Sequence, residues 1–266
     1  MTGAVDGGER SLARWVCGRL PDGFRLVIAA GGRWAMVRSD LVAELGMDRF
    51  DQIRDEGQAT DLVGRGVIFS SRLADGRRVL VRPYRHGGFF RRLTRDLFWS
   101  WPPRPFAELR ATVEARSRGV PAAEILAAWV ERRVGPFYRG WLVFRELEGA
   151  QDLWTAVLTR SFGALGIKPM LESAARSVAA LHRRGVDHAD LNLKNILVRR
   201  ENEAFRSYII DFDKARLHAP PLARRKAKNN LSRLRRSMRK LDPERRCLTE
   251  EDWLFMLSCY SKAAGW

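Results

Sequence analysis

Nowhere in the 266 residues does an apolar run approach the roughly eighteen residues that a membrane-spanning helix needs; the longest, 26-LVIAA-30 and 125-ILAAWV-130, are core-sized. Cysteine is scarce as well. Cys17, Cys247 and Cys259 give neither the even count of a disulfide framework nor the paired close spacing of a zinc site, so unpaired thiols in a reducing compartment are expected. The opening MTGAVDGGER has no basic flank leading into an apolar stretch. It does not read as a secretory signal, and the chain is expected to stay in the cytoplasm. Acidic residues are outnumbered, 31 Asp plus Glu against 48 Lys plus Arg, for a net charge of +17. A field of that sign attracts polyanions, whether nucleic acid, an anionic membrane surface or an acidic small substrate, and composition does not choose among them.

What is present is enough apolar side chain for a core, 45% of the residues, and a clear change of character along the chain. Two β-prone runs, 67-VIFSSRL-73 and 77-RRVLVRPY-84, flank a turn at Asp75-Gly76 and read as a hairpin entered through Gly64-Arg65-Gly66. The stretch 106-FAELRATVEARSRG-119 has helical composition and closes at Gly119, before Val120-Pro121. After more β-like sequence at 140-GWLVFREL-147 the character turns helical, at 152-DLWTAVL-158 and at 169-PMLESAARSVAALHRRG-185, whose apolar residues recur three and four apart. A second hairpin follows, 195-NILVRR-200 and 207-SYIIDFDKAR-216 around 201-ENE-203. The expectation is an α+β protein with a β-rich part over 1–148, an α-rich part over 149–266 and a hinge near Glu148-Gly149-Ala150.

The chemistry is concentrated in 187-DHADLNLKNILV-198. Phosphoryl transfer asks for a carboxylate near the attacking hydroxyl, oxygen ligands for Mg2+ and a cation on the ATP phosphates. Protein kinases meet this with His-Arg-Asp, an Asn five residues after the Asp, a strand pair and Asp-Phe-Gly. Here His188, Asp190 and Asn195 hold that spacing, and Asp211-Phe212-Asp213 follows at the far end of the hairpin. In that pattern Asp190 accepts or orients the proton of the attacking hydroxyl, while Asn195 and Asp211 ligate Mg2+. A turn residue and a strand-end cap are the plain alternatives for Asn195 and Asp211. His188 is read as a packed scaffold of the loop. Upstream, Gly64 and Gly66 begin a phosphate loop whose third glycine is replaced by Phe69; Arg82 stands where the nucleotide lysine is expected, with Glu108 as its helix partner and Glu114 as the alternative. Ala189 replaces the Arg of His-Arg-Asp, Asp213 replaces the Gly of Asp-Phe-Gly, and no Ala-Pro-Glu follows. This is not the pattern of a switched signalling kinase.

Two basic segments bear on the acceptor. Ala219 to Leu241 holds nine Lys or Arg and no acid, with Leu231, Leu234, Met238 and Leu241 at helical spacing. The stretch 82-RPYRHGGFFRRLTRDLFWSWPPR-104 mixes six arginines with Phe89, Phe90, Phe98, Trp99 and Trp101. Such interleaving suits a membrane interface, where indoles sit at the headgroup level, and RNA binding competes with it because arginines between aromatics also stack on bases.

HADLNLKNIL, IIDFDKAR, RPYRHGG with the following RDLFW, FAEL before VPAAE, and NLSRLRRSMRK together make the chain, from about Gly64 to Lys240, resemble the Kdo/WaaP lipopolysaccharide kinase family, which phosphorylates 3-deoxy-D-manno-octulosonic acid (Kdo) and related core sugars. The resemblance implies a protein-kinase-like two-lobed fold, ATP and Mg2+ as cofactors, and transfer to the 4-hydroxyl of Kdo on a lipid A precursor. It also implies a peripheral position at the cytoplasmic face of the inner membrane of a Gram-negative bacterium. Arg85, Arg91, Arg92, Arg95, Arg235 and Arg236 are then candidates for the anionic lipid or membrane surface, and nucleic acid is not the expected partner. A heptose or other small-molecule kinase of the same fold, or a kinase-fold RNA- or membrane-binding adaptor, are the competing readings.

Overall fold

The computed structural model describes residues 18–56, 58–59, 68–85 and 96–265. Its chain divides into two compact units, the first ending at Val113 and resuming over Glu124–Glu146, the second made of Glu114–Ala123 and Leu147–Trp266.

In the first unit the elements run β1 (Phe24–Ala29), β2 (Arg33–Arg38), α1 (Val42–Leu45), α2 (Met47–Glu56), β3 (Gln58–Ala59), β4 (Phe69–Arg72), β5 (Arg78–Pro83), α3 (Arg104–Ser117, its last turn belonging to the second unit), β6 (Ile125–Arg132) and β7 (Tyr138–Arg145). The strands form one seven-stranded sheet in the order β1-β2-β6-β7-β5-β4-β3, antiparallel at every pairing. Strand alternation then sorts side chains by face. Val79 and Val81 turn to a cluster with Phe50 and Ile53 of α2, Trp129 and Trp141, while Met36, Val130 and Leu142 turn to the other face with Phe106 and Leu109 of α3. Because helices cover both faces, β6 is buried from Ile125 to Val130, which is why its sequence is a continuous apolar run and not an alternating one. The family resemblance begins only at about Gly64, yet upstream of it β1 and β2 extend the sheet beyond β6.

The second unit continues with β8 (Gln151–Asp152), α4 (Leu153–Leu158), α5 (Ile167–Arg183), β9 (Val186–Asp187), β10 (Ile196–Glu201), β11 (Ala204–Ile209), β12 (Arg216–Leu217), α6 (Arg224–Leu241) and α7 (Glu250–Ala264). The Asp152 carboxylate accepts from Thr155 N at 3.0 Å and starts α4. A capping box between Thr249 and Asp252 starts α7. The apolar stripe of α5 is buried from Met170 to Leu181, against α7 and β11. The second hairpin forms as expected, except that its return strand begins at Ala204 and Asn202 makes the turn with φ of 54°. Beside β11, Ile209 N donates to Pro121 O and Ala123 N to Ile209 O, which ties 114–123 to this unit. Among the described residues no helix is long and apolar enough to cross a membrane.

Candidate active site

The 187–198 stretch lies between β9 and β10. At its start Gly185 holds φ of 78°, and a Cβ there would stand 2.4 Å from the His218 carbonyl oxygen. Only glycine allows that approach. His188 is fully buried, its Nε2–H donating to the Ile210 carbonyl at 3.0 Å and its ring edge-on to Phe212 at 5.2 Å. Burial pushes its pKa below the ordinary value, against the pull of the Ile210 carbonyl and of Asp211 and Asp190. A neutral, fixed ring binds the loop to the hairpin end; the geometry is that of a scaffold.

The Asp190 backbone carbonyl accepts from the side-chain amides of Asn192 and Asn195, each at 2.9 Å. Asn192 Oδ1 in turn caps Lys194 N at 3.0 Å. These bonds fix the loop backbone around a half-buried Asp190 whose carboxylate has only a marginal 3.5 Å approach from Asn192 Nδ2. Asn195 spends its amide nitrogen on Asp190, so its Oδ1 is the atom suited to a cation. Its own carbonyl accepts from Ile210 N at 3.0 Å, one step beyond the Ile196–Ile209 pair of the ladder. Asn195 and Asp211 therefore emerge side by side at the open end of the hairpin. Asp211 sits in the left-handed region, φ 67° and ψ 62°. A non-glycine residue there stores about 1 kcal/mol, a strain typical of functional positions.

Sequence reading missed what holds this loop from beneath. Helix α6 is the basic amphipathic helix expected from its spacing, with Arg224, Arg225, Lys228, Arg236, Arg239 and Lys240 exposed. Its inner face grips the loop. Asn230 Nδ2 donates to Asp187 Oδ1 at 2.8 Å, Lys226 Nζ lies 3.4 Å from Asp187 Oδ2, and Ser237 Oγ accepts from Leu193 N at 3.3 Å. Burial alone would raise the Asp187 pKa; the hydrogen bonds from Asn230 and Lys226, with the charges of Lys226 and Arg233, bring it below the ordinary value. A signal was available, since Asn230 falls in the helical row otherwise filled by Ala227, Leu234 and Met238.

In the first unit, period-two alternation on β5 turns Arg82 away from Val81 and toward α3. Its Nη2 lies 2.8 and 2.9 Å from the two oxygens of the fully buried Glu108, which also accepts from the Tyr84 hydroxyl. The guanidinium stacks 5.3 Å over Phe144 and 5.6 Å over Tyr84. Glu114, the alternative partner, pairs with Arg118 instead. Among the remaining candidates, Arg85 is exposed just past β5, Arg236 is exposed on α6, and Arg235 is drawn into a pair with Glu250 over the Trp253 ring. Gly64, Gly66, Arg91, Arg92 and Arg95 lie outside the described residues. Asp190, Asn195 and Asp211 come together within the second unit, and Arg82 and Glu108 within the first.

A profile of the lipopolysaccharide kinase (Kdo/WaaP) family matches residues 54–260. The chain belongs to that family. Among its relatives are 3-deoxy-D-manno-octulosonic acid kinases from Xylella fastidiosa (strain M23), 37% identical over 68% of this chain and 70% of theirs, and from Xanthomonas campestris pv. campestris (strain B100), 35% identical over 79% and 80%. The enzyme of the same name from Vibrio vulnificus (strain YJ016) is 36% identical over 60% of this chain, and the match spans 64% of its length. A solved structure described as WaaP in complex with acyl carrier protein superposes with a TM-score of 0.53 over 90% of this chain and 89% of its own, at 20% identity. At that identity the likeness establishes the fold, a kinase-like one with a strand-rich amino-terminal part and a helical carboxy-terminal part. Membership in a kinase family implies ATP as the phosphoryl donor.

Proposed function

We propose that the chain transfers the γ-phosphoryl group of ATP to the 4-hydroxyl of Kdo on a lipid A precursor. The observation that carries the reading is the joining of Asp190, Asn195 and Asp211 at one hairpin end, through the Asn195 amide to Asp190 O and the Asn195 carbonyl to Ile210 N. Relatives named as Kdo kinases supply the acceptor. In this reading the sugar hydroxyl oxygen attacks the γ-phosphorus, the bond from phosphorus to the departing ADP oxygen breaks, and the hydroxyl proton passes to Asp190. Positioned proton acceptance of this kind is worth roughly 10²- to 10⁴-fold in rate. Arg82, fixed in place by Glu108 and by the rings of Phe144 and Tyr84, is the cation for the ATP phosphates.

Mg2+ fits the donor set. Among the described residues no cluster of three or more His, Cys, Asp or Glu is present, and an Asn oxygen with one carboxylate suits an ion that keeps its waters and the substrate phosphates as remaining ligands. Asn195 Oδ1 and Asp211 would hold it, and bound there it would offset charge on the phosphates. The net charge of +17 favours an anionic acceptor in a membrane carrying acidic lipids, with the chain peripheral at the cytoplasmic face of the inner membrane and Arg85, Arg91, Arg92, Arg95 and Arg236 as the candidate partners of lipid phosphate. Arg235 is less suited to that role, being paired with Glu250.

The test is transfer from labelled ATP with Mg2+ to a Kdo-bearing lipid A precursor and to the same lipid lacking Kdo, with wild type and Asp190→Ala. Transfer to the Kdo lipid alone, reduced at least about 100-fold by the substitution, is expected. Transfer to a heptose acceptor in its place would move the assignment within the family. No transfer to any sugar, with membrane or RNA binding intact in Asp190→Ala, would make the chain an adaptor.

A further inference from the structure

Helix α6 sets four polar residues along the 187–193 stretch, and three of them bond to it. Lys226, Asn230, Arg233 and Ser237 are spaced four, three and four apart, which keeps them in one stripe of the helix. Lys226 and Asn230 reach Asp187, and Ser237 Oγ accepts from Leu193 N. The stretch therefore runs along this stripe, with Asp187 at one end and Leu193 at the other. At a rise of about 1.5 Å per residue, Arg233 stands about 4.5 Å beyond Asn230 and about 6 Å short of Ser237. That places it beside the middle of the stretch, the part that contains Asp190.

Arg233 is half-buried, yet among the described residues its guanidinium makes no hydrogen bond and no ion pair. Its charge helps to lower the Asp187 pKa, but the contacts to that carboxylate are made by Asn230 and Lys226. The other cations of the helix differ. Lys226 is held by Asp187, Arg235 by Glu250, and the remainder are exposed. A guanidinium that has given up part of its hydration gains most from an anion that replaces the lost water, and its planar fork matches the two oxygens of a carboxylate.

We infer that Arg233 binds the carboxylate of the acceptor sugar and makes the site selective for a sugar acid. In-line transfer puts the attacking hydroxyl and the departing ADP on opposite sides of phosphorus. Asn195 and Asp211, at the hairpin end, mark the side of the ATP phosphates. A cation carried by α6, outside that hairpin, belongs with the acceptor. In Kdo the carboxylate is attached to C2 and the reacting hydroxyl to C4, so a group beside Asp190 can hold the one while Asp190 takes the proton of the other. A heptose carries no carboxylate, and the same residue would separate the two acceptors. The inference rests on the reading of the chain as a Kdo kinase.

The experiment uses the full chain with ATP, Mg2+ and two soluble acceptors, the deacylated Kdo-bearing saccharide and the same saccharide with its Kdo carboxylate converted to the amide. Wild type is compared with Arg233→Gln and Arg233→Lys. Wild type is expected to favour the acid over the amide by about 10- to 100-fold in kcat/KM, the range of one charge-assisted hydrogen bond. Arg233→Gln should lose that preference through a higher KM for the acid, with the KM for ATP unchanged. Arg233→Lys, which keeps the charge without the fork, should retain part of it. A preference for the acid that persists in Arg233→Gln while the KM for ATP rises would overturn the inference and give the cation to the nucleotide. An equal loss of kcat on acid and amide would overturn it too, leaving Arg233 as a support of Asp187. Equilibrium binding of both saccharides is measured beside turnover. If wild type phosphorylates neither, the kinase reading fails and binding still decides Arg233: tighter binding of the acid by wild type but not by Arg233→Gln supports the inference, and equal binding overturns it.

Discussion

Asn230 is an amide in a row of apolar side chains, fully buried, with its Oδ1 lacking a hydrogen-bond partner. An orphaned buried acceptor costs about 1–3 kcal/mol, so packing alone would favour an apolar residue there. What the amide supplies is a donor to Asp187, three residues before Asp190. On the proposed reading, Asn230 positions the loop through that bond. Asn230→Ala and Asp187→Asn are each expected to lower kcat roughly ten- to a hundredfold, the effect of a small misplacement of reacting groups, with little change in the KM for ATP. The exchange Asp187→Asn, Asn230→Asp restores a donor and an acceptor across the same contact and should recover most of the loss. Equal kcat in all three variants would make the contact irrelevant to the loop. His188 is the complementary case, a residue whose burial and single backbone bond support the scaffold role that its sequence context suggests.

At the scale of elements, the coupling of β5 to α3 runs through one buried carboxylate. Arg82 and Tyr84 stand two apart on the strand, hence on one face, and both reach Glu108. Arg82→Met removes a charge-assisted bond to a buried group, an expected loss of about 1.5–3 kcal/mol, whereas Arg82→Lys keeps the charge without the planar stack and should lose less. Urea midpoints of the two variants measure the difference, and equal midpoints would show that the guanidinium geometry is immaterial. These elements were legible because each carries its own period: α5 and α6 by apolar spacing, the two hairpins by turn residues between β-prone runs. The two-residue strands β8, β9 and β12 were not, since each exists only where a distant partner is already placed, as Asp187 opposite Arg216. Chain 24–38 was missed for a related reason: Arg25 and Ile28 are exposed on an edge strand, which blurs its alternation, and the four apolar residues Trp34–Val37 of β2, buried on both faces, make too short a run to mark a strand by period. The grip of α6 on the 187–198 loop needed tertiary structure, because the apolar row marks which face of the helix turns inward but not that Asp187 and Leu193 lie against it.

Across the whole molecule, acid is the condition that separates the charged surface from the core. His182, on α5, is buried with Nδ1 2.8 Å from the Tyr260 hydroxyl of α7 and Nε2 lacking a partner. Burial lowers its pKa from the ordinary 6.5 to about 4, the nearby Asp187 opposing and His188 adding to the shift. Tyr260, likewise buried, has its pKa raised. Since the folded histidine resists a proton that the unfolded one accepts below 6.5, the unfolded state binds more protons between pH 6.5 and 4. The contribution of neutral His182 is therefore complete above pH 6.5, is lost as the pH falls toward 4 and is constant below that, a total of about 3 kcal/mol. General repulsion within a chain of net charge +17 also grows as carboxylates protonate, so the wild type alone cannot isolate the effect. His182→Gln retains a hydrogen-bonding partner for Tyr260 without titrating. The difference in unfolding free energy between the two proteins, measured by urea denaturation from pH 8 to pH 3.5, should be flat above the window, fall across it and level out. A difference that stays constant throughout would mean that His182 takes up its proton at the same pH in the folded and the unfolded chain, and that burial does not hold the ring neutral.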